Sequence, residues 1–197
     1  MSRPVPLALK ASRFPLLLCA IALAAACGKG PAEQALAAAS SAFDQARPEL
    51  EQYVPDELKS ISAELSKAKG AFDRGDYKRA LSFGQSVLLK VQGALEGARR
   101  KKDELVAAFT QLKASLPVRV DSLRRRLGEL ARATSLPADL DQATVETAQA
   151  NLETIGKAWS EALSRFDSGD VVNALTQARE VQVQVEEMAK AFLPARK

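Results

Sequence analysis

Apolar residues recur along this chain in alternating steps of three and four. One series runs Val54, Leu58, Ile61, Leu65, Ala68, Phe72; the next runs Tyr77, Ala80, Gly84, Val87, Val91, Ala94, Ala98, and its phase extends through Leu105, Ala108 and Leu112. Val120, Leu123, Leu127 and Leu130 follow. A third long series joins Val145, Ala148, Leu152, Ile155, Trp159, Ala162 and Phe166, and a fourth Val171, Ala174, Ala178, Val181, Val185, Met188 and Phe192. Sustained over several heptads, such spacing keeps one seam facing a partner helix that crosses near +20°. No stretch alternates with period two for long. The expectation is an all-α fold, an elongated bundle of long antiparallel helical hairpins.

Helix breakers divide these series. Pro48, Pro55, Pro117 and Pro137 are placed at or near helix starts, where a missing N–H costs nothing. Pro55-Asp56-Glu57 also sets two acids in a first turn, complementing the helix dipole. The two sharpest breaks are Phe72-Asp73-Arg74-Gly75-Asp76 and Phe166-Asp167-Ser168-Gly169-Asp170. In each, the glycine (Gly75, Gly169) suits the left-handed residue that ends a helix, and the aspartate after it (Asp76, Asp170) suits the N-cap of the next. If Asp76 to Leu116 is one continuous helix, it runs about 60 Å.

The two breaks belong to a longer correspondence. Sliding the sequence by 94 residues superposes Leu58 on Leu152, Ile61 on Ile155, Ala68 on Ala162 and Phe72 on Phe166. It also superposes Gly75 on Gly169, Ala80 on Ala174, Val87 on Val181 and Val91 on Val185. Twelve identities fall between 58 and 95, against about three expected from composition. The reading is an internal duplication at an offset of 94 residues. A first helical unit spans 36–116 with its hairpin turn near 73–76, and a second spans 117–197 with its turn near 167–170. Elements at about 32–47 and 118–134 pack as extra helices on each hairpin.

The N-terminus has a different character. Arg3, Lys10 and Arg13 precede an apolar run from Phe14 to Ala26, and no acid occurs before Glu33. This is the layout of a secretory signal peptide, and about 13 apolar residues are too few to span a ~30 Å hydrocarbon core. The run ends in Leu23-Ala24-Ala25-Ala26-Cys27-Gly28, which resembles the lipobox of bacterial lipoproteins. That resemblance implies cleavage after Ala26 and diacylation of Cys27, giving a signal peptide at 1–26 and a lipidated N-terminus with a short tether at 27–35. Gly28 after the cysteine implies outer-membrane sorting. Ala24-x-Ala26 also satisfies the ordinary signal-peptidase rule, which leads to a soluble periplasmic product instead.

Tyr53-Val54-Pro55-Asp56-Glu57-Leu58, with Leu65, Ala68 and Gly75-Asp76-Tyr77-Lys78-Arg79-Ala80-Leu81, resembles a helical domain of unknown function common in bacterial envelope lipoproteins. The resemblance covers about residues 36 to 95 and implies a lipid-anchored, periplasm-facing module. Gly75-Asp76-Tyr77-x-x-Ala80 is also similar to the second helix of a tetratricopeptide repeat. In the second copy Val171 stands at the position of Tyr77.

Composition narrows the chemistry. The 197 residues include two Cys and no His, so triads, dyads and metal sites that need imidazole are excluded from this chain alone. The formal net charge of +4 would suggest a polyanion partner, but three of its cations lie in the signal. No nucleic-acid partner is expected. Ser66-Lys67-Ala68-Lys69 matches S-x-x-K formally, but inside an amphipathic helix and without companion motifs. The aspartates beside Gly75 and Gly169 read as caps rather than as a metal or hydrolase pair. Arg99-Arg100-Lys101-Lys102 and Arg124-Arg125-Arg126 are solvated runs, with weak contact to anionic envelope polymers as the alternative. Trp159, equivalent to Leu65, reads as core. No catalytic residue, cofactor or metal is expected.

The expected function is therefore non-enzymatic: a lipid-anchored envelope protein acting as a structural or protein-interaction module. It would be held to the membrane by acyl chains at Cys27 and would dock an envelope protein partner. The alternative is a soluble periplasmic binding or chaperone-like protein for an apolar ligand.

Overall fold

The computed structural model describes the backbone of residues 15–137 and 140–193, and side chains from residue 28 onward within those ranges. Five helices and no strand occur among the described residues: α1 (Pro15–Tyr53), α2 (Pro55–Asp73), α3 (Tyr77–Ala131), α4 (Gln142–Asp167) and α5 (Val171–Phe192). The chain divides into two compact units, Met1–Glu96 and Gly97–Lys197.

The first unit packs α1 against the hairpin made by α2 and the beginning of α3. Its buried stripe on α1 is Ala32, Ala39, Phe43, Ala46, Leu50 and Tyr53. Ile61, Leu65, Ala68 and Ala71 of α2 and Ala80, Val87, Val91 and Ala94 of α3 complete the core. Each fully buried Leu, Ile or Val side chain removed from water contributes about 1.5–3 kcal/mol. The α1–α2 corner is a single residue. Val54, pushed out of the helical region by the following proline (φ −142°, ψ 60°), turns the chain, and Pro55 opens α2 without losing a hydrogen bond.

Small residues set how closely α1 approaches. A Cβ placed on Gly84 would lie 3.2 Å from the backbone carbon and oxygen of Ala35, closer than ordinary van der Waals contact, so any larger residue must shift the two helices. Ala32 has no exposed surface and clusters with Ala71 and Ala80. This corrects the tether expected at 27–35: residues 28–35 are helical and part of the bundle. Their small side chains, which read as linker composition, are what lets α1 pack there. Pro48 is likewise interior to α1 rather than at a helix start. It is exposed, as is Asp44, whose carbonyl it leaves unpaired and open to water.

The second unit combines the remainder of α3 with α4 and α5. Leu116, Leu123, Leu127 and Leu130 of α3 meet Val145, Leu152 and Ile155 of α4 and Val181 and Val185 of α5. A neighbouring cluster holds Phe109, Ala162, Ala174, Leu175 and Ala178. The break expected between 116 and 117 is absent. Pro117 lies inside α3 on an exposed face, with Lys113 exposed one turn before it, so the orphaned carbonyl is hydrated and the helix continues. The helix expected to run to Leu116 is thus continuous, as α3 from Tyr77 to Ala131, and the boundary in sequence between the two units, 96/97, falls within it. The seam after the charged run falls on Phe109, which is fully buried, rather than on half-buried Ala108.

Candidate functional site

Both hairpin turns are built by the same local chemistry. Gly75 has φ 77° and Gly169 φ 89°, the only positive values among the described residues. The Gly75 N–H donates to Phe72 O at 2.9 Å and the Asp76 N–H to Ala71 O at 2.9 Å; Gly169 and Asp170 donate to Phe166 O and Arg165 O, each at 3.0 Å. This paired arrangement is a Schellman motif, and the left-handed residue at its centre favours glycine. Asp76 then accepts from the Arg79 N–H at 3.2 Å, and Asp170 from the Asn173 N–H at 3.4 Å, capping α3 and α5. The aspartates that follow the glycines, Asp76 and Asp170, therefore serve as caps, and Asp73 and Asp167 before them are exposed. Among the described residues no group of three or more His, Cys, Asp or Glu is arranged to hold a metal.

The turns differ in what surrounds them. In the first unit Phe72 meets Tyr77 edge-on, ring centroids 5.3 Å apart and planes at 64°. In the second, where Val171 replaces the tyrosine, Phe166 stacks on Phe109 at 4.2 Å and 5°, and Phe109 stacks in turn on Trp159 at 5.8 Å and 15°. Trp159 is half-buried within this aromatic stack, and sequence reasoning had no signal for its partners.

Gly28 of α1 lies at the end of the first unit that carries the turn. A Cβ on Gly28 would lie 3.6 Å from the Cβ of Tyr77, so α1 enters the bundle directly beside the α2–α3 turn. The side chains of Ala26 and Cys27, the expected cleavage and lipidation residues, lie outside the described residues. Around this end stand the exposed cations Lys29, Lys67, Lys69, Arg74, Lys78 and Arg79, and the acids Glu33, Asp73 and Asp76. Arg79 approaches Asp76 at 3.6 Å. The opposite end of the same unit carries Asp44, Glu49, Glu51, Asp56 and Glu57 with Arg47 and Lys59, and α3 runs on there into the exposed Arg99-Arg100-Lys101-Lys102.

One polar cluster was not anticipated. Between α2 and α3, the Ser86 hydroxyl donates to Glu64 Oε1 at 2.6 Å, and the Lys90 ammonium bonds the other carboxylate oxygen. These hydrogen bonds, that from Lys90 foremost, hold the Glu64 carboxyl below the usual carboxylate range. Ser86 and Lys90 both bond Glu64 rather than each other, and the trio acts as a clamp on the hairpin. Ser86 and Lys90 share a face by their i, i+4 spacing, but Glu64 joins them only through the register of the hairpin. Asp141, the N-cap of α4, is also held low, by its hydrogen bonds from Thr144, one of them 2.7 Å from the backbone N–H.

The remaining sequence candidates fall elsewhere. Ser66 donates to Ser62 O within its own helix and faces solvent, as Lys69 does. Arg99 to Lys102 are all exposed. Arg124 pairs with Asp121 at 2.7 Å, and Arg126 pairs with Glu129 and donates to Phe192 O. No helix among the described residues is long and apolar enough to cross a membrane.

A domain of unknown function (DUF4398) matches residues 34–108, from within α1 through α2 into α3. No curated protein and no solved structure matches the chain.

Proposed function

We propose that the protein is a lipid-anchored helical module of a bacterial envelope, acylated on Cys27, that serves as a structural or protein-interaction element. The reading is carried by the N-terminal layout. Basic residues, a short apolar run and small residues lead to Cys27, which lies within α1 five residues before its buried Ala32. Support for an interaction role comes from Ala- and Gly-lined seams, which spend little side-chain bulk on the core and leave long helical faces to solvent. The two hairpins, alike in turn geometry and in buried positions, support duplication of one ancestral hairpin.

The experiment is metabolic labelling with palmitate, followed by membrane fractionation, of the native chain and of Cys27→Ser. Label and membrane association in the native chain, both lost in the variant, are expected. A variant that keeps both sinks the anchor. A second reading, a soluble periplasmic carrier of an apolar ligand, draws on the open groove between α4 and α5 lined by Ala148, Met188 and Phe192. Binding of an apolar dye to the native protein, abolished by Met188→Glu, would favour it.

A further inference from the structure

The backbone motif of the α2–α3 turn does not require basic residues at positions 74, 78 and 79. The second unit builds the same Schellman motif and the same aspartate cap with Ser168, Val172 and Asn173 where the first has Arg74, Lys78 and Arg79. Lys67 and Lys69 correspond to Glu161 and Leu163. None of the five hairpin cations has a basic counterpart at the matching position of the second hairpin, where the cap Asp170 pairs with Arg165 of the preceding helix instead. The turn that carries them is the one beside Gly28.

Position along the unit follows from two contacts. Gly28 lies against Tyr77 and Ala35 against Gly84, each pair 49 apart in sequence, so α1 and α3 run parallel from this end. Gly28 immediately follows Cys27, and Ala32, one turn on, is fully buried. There is no slack between the acylated residue and the bundle. The basic turn is at the end next to the lipid, and the α1–α2 corner is at the other.

We propose that the α2–α3 turn of the first unit rests on anionic phospholipid, with Lys29, Arg74, Lys78 and Arg79 against headgroup phosphates, so that the unit stands on this end with the α1–α2 corner away from the membrane. The inference rests on acylation of Cys27, which supplies the second attachment. An acylated terminus and a basic patch act together at a membrane, and the electrostatic part falls off within a Debye length.

The test uses the full chain, purified from membranes and placed in vesicles with and without anionic phospholipid. A fluorophore is attached at Ser82→Cys or at Gln52→Cys, both exposed and uncharged. The α1–α3 register separates the two positions by about 28 Å along the helix axis. Headgroup nitroxide lipids then quench each label, and mass spectrometry reports the acyl groups. With anionic lipid, quenching at position 82 should exceed that at 52 by about twofold or more. That ratio should fall toward one in high salt and in Arg74→Ser/Lys78→Val/Arg79→Asn, whose residues are those of the second turn. Acylated protein with equal quenching at both sites overturns the orientation while leaving the anchor in place. A ratio unchanged by the triple variant overturns the electrostatic contact. Absence of acyl groups overturns the anchor and this inference together.

Discussion

Gly84 of α3 lies directly against the main chain of Ala35 in α1: a Cβ there would stand 3.2 Å from the Ala35 carbonyl carbon and oxygen and 3.3 Å from its Cβ. A helix backbone yields less readily than the end of a long side chain, so added bulk must push the two helices apart.

Gly84→Val should destabilise the first unit by about 1–3 kcal/mol through overpacking. Gly93, in the same helix with nothing within 4 Å of its missing Cβ, provides the contrast. Gly93→Ala should stabilise by about 0.5–1 kcal/mol, because alanine loses less backbone entropy in a helix. Denaturant unfolding followed by far-ultraviolet circular dichroism measures both, and a stabilised Gly84→Val would refute the close approach.

Gly75→Ala and Gly169→Ala should each cost about 1 kcal/mol or more, since alanine is strained at the positive φ both positions adopt. Removing the caps by Asp76→Ala or Asp170→Ala should cost about 0.5–2 kcal/mol each. Unchanged unfolding midpoints in the glycine variants would show that these turns relax without the left-handed residue.

Phe109→Ala should cost about 3–5 kcal/mol by opening a cavity beneath α4 and α5. Trp159 stacks on Phe109 and is the single tryptophan, so its emission reports the change directly. A red shift in the folded variant is expected, and an emission identical to the native protein's would contradict the stack.

Stability should carry a pH dependence through Glu64. Its carboxyl is held below its ordinary value of 4.5 in the folded chain. The unfolded chain therefore binds the proton first as pH falls, and the contribution of Glu64 is complete above that value and lost on acidification through the lower folded one. Glu64→Gln should flatten unfolding midpoints across that acidic window, and a titration of midpoints that superposes on the native curve would remove the clamp from the account.

Much of the fold was legible because its rules are local. The 3-4 periodicity marks each buried stripe, Gly75 and Gly169 announce a left-handed residue, and the aspartates after them announce a cap, all within a few residues of the effect. The prolines misled for a reason equally physical. Pro48 and Pro117 remove a hydrogen bond wherever they stand, but on a solvated helix face the freed carbonyl finds water, so the helix runs on. Small residues were ambiguous in the same way: Ala32 and Ala35 suit a linker by composition and a close helix contact by size.

By itself the sequence determined the all-α class, the two hairpin turns and the N-terminal layout that leads to Cys27, since each depends on backbone preference or on the order of residue types. Only the tertiary structure decided that Phe109 rather than Ala108 fills the core, that Glu64 clamps Ser86 and Lys90, and that Gly28 meets Tyr77. Those depend on which helix faces which, and at what register, and many weak apolar contacts set that register together.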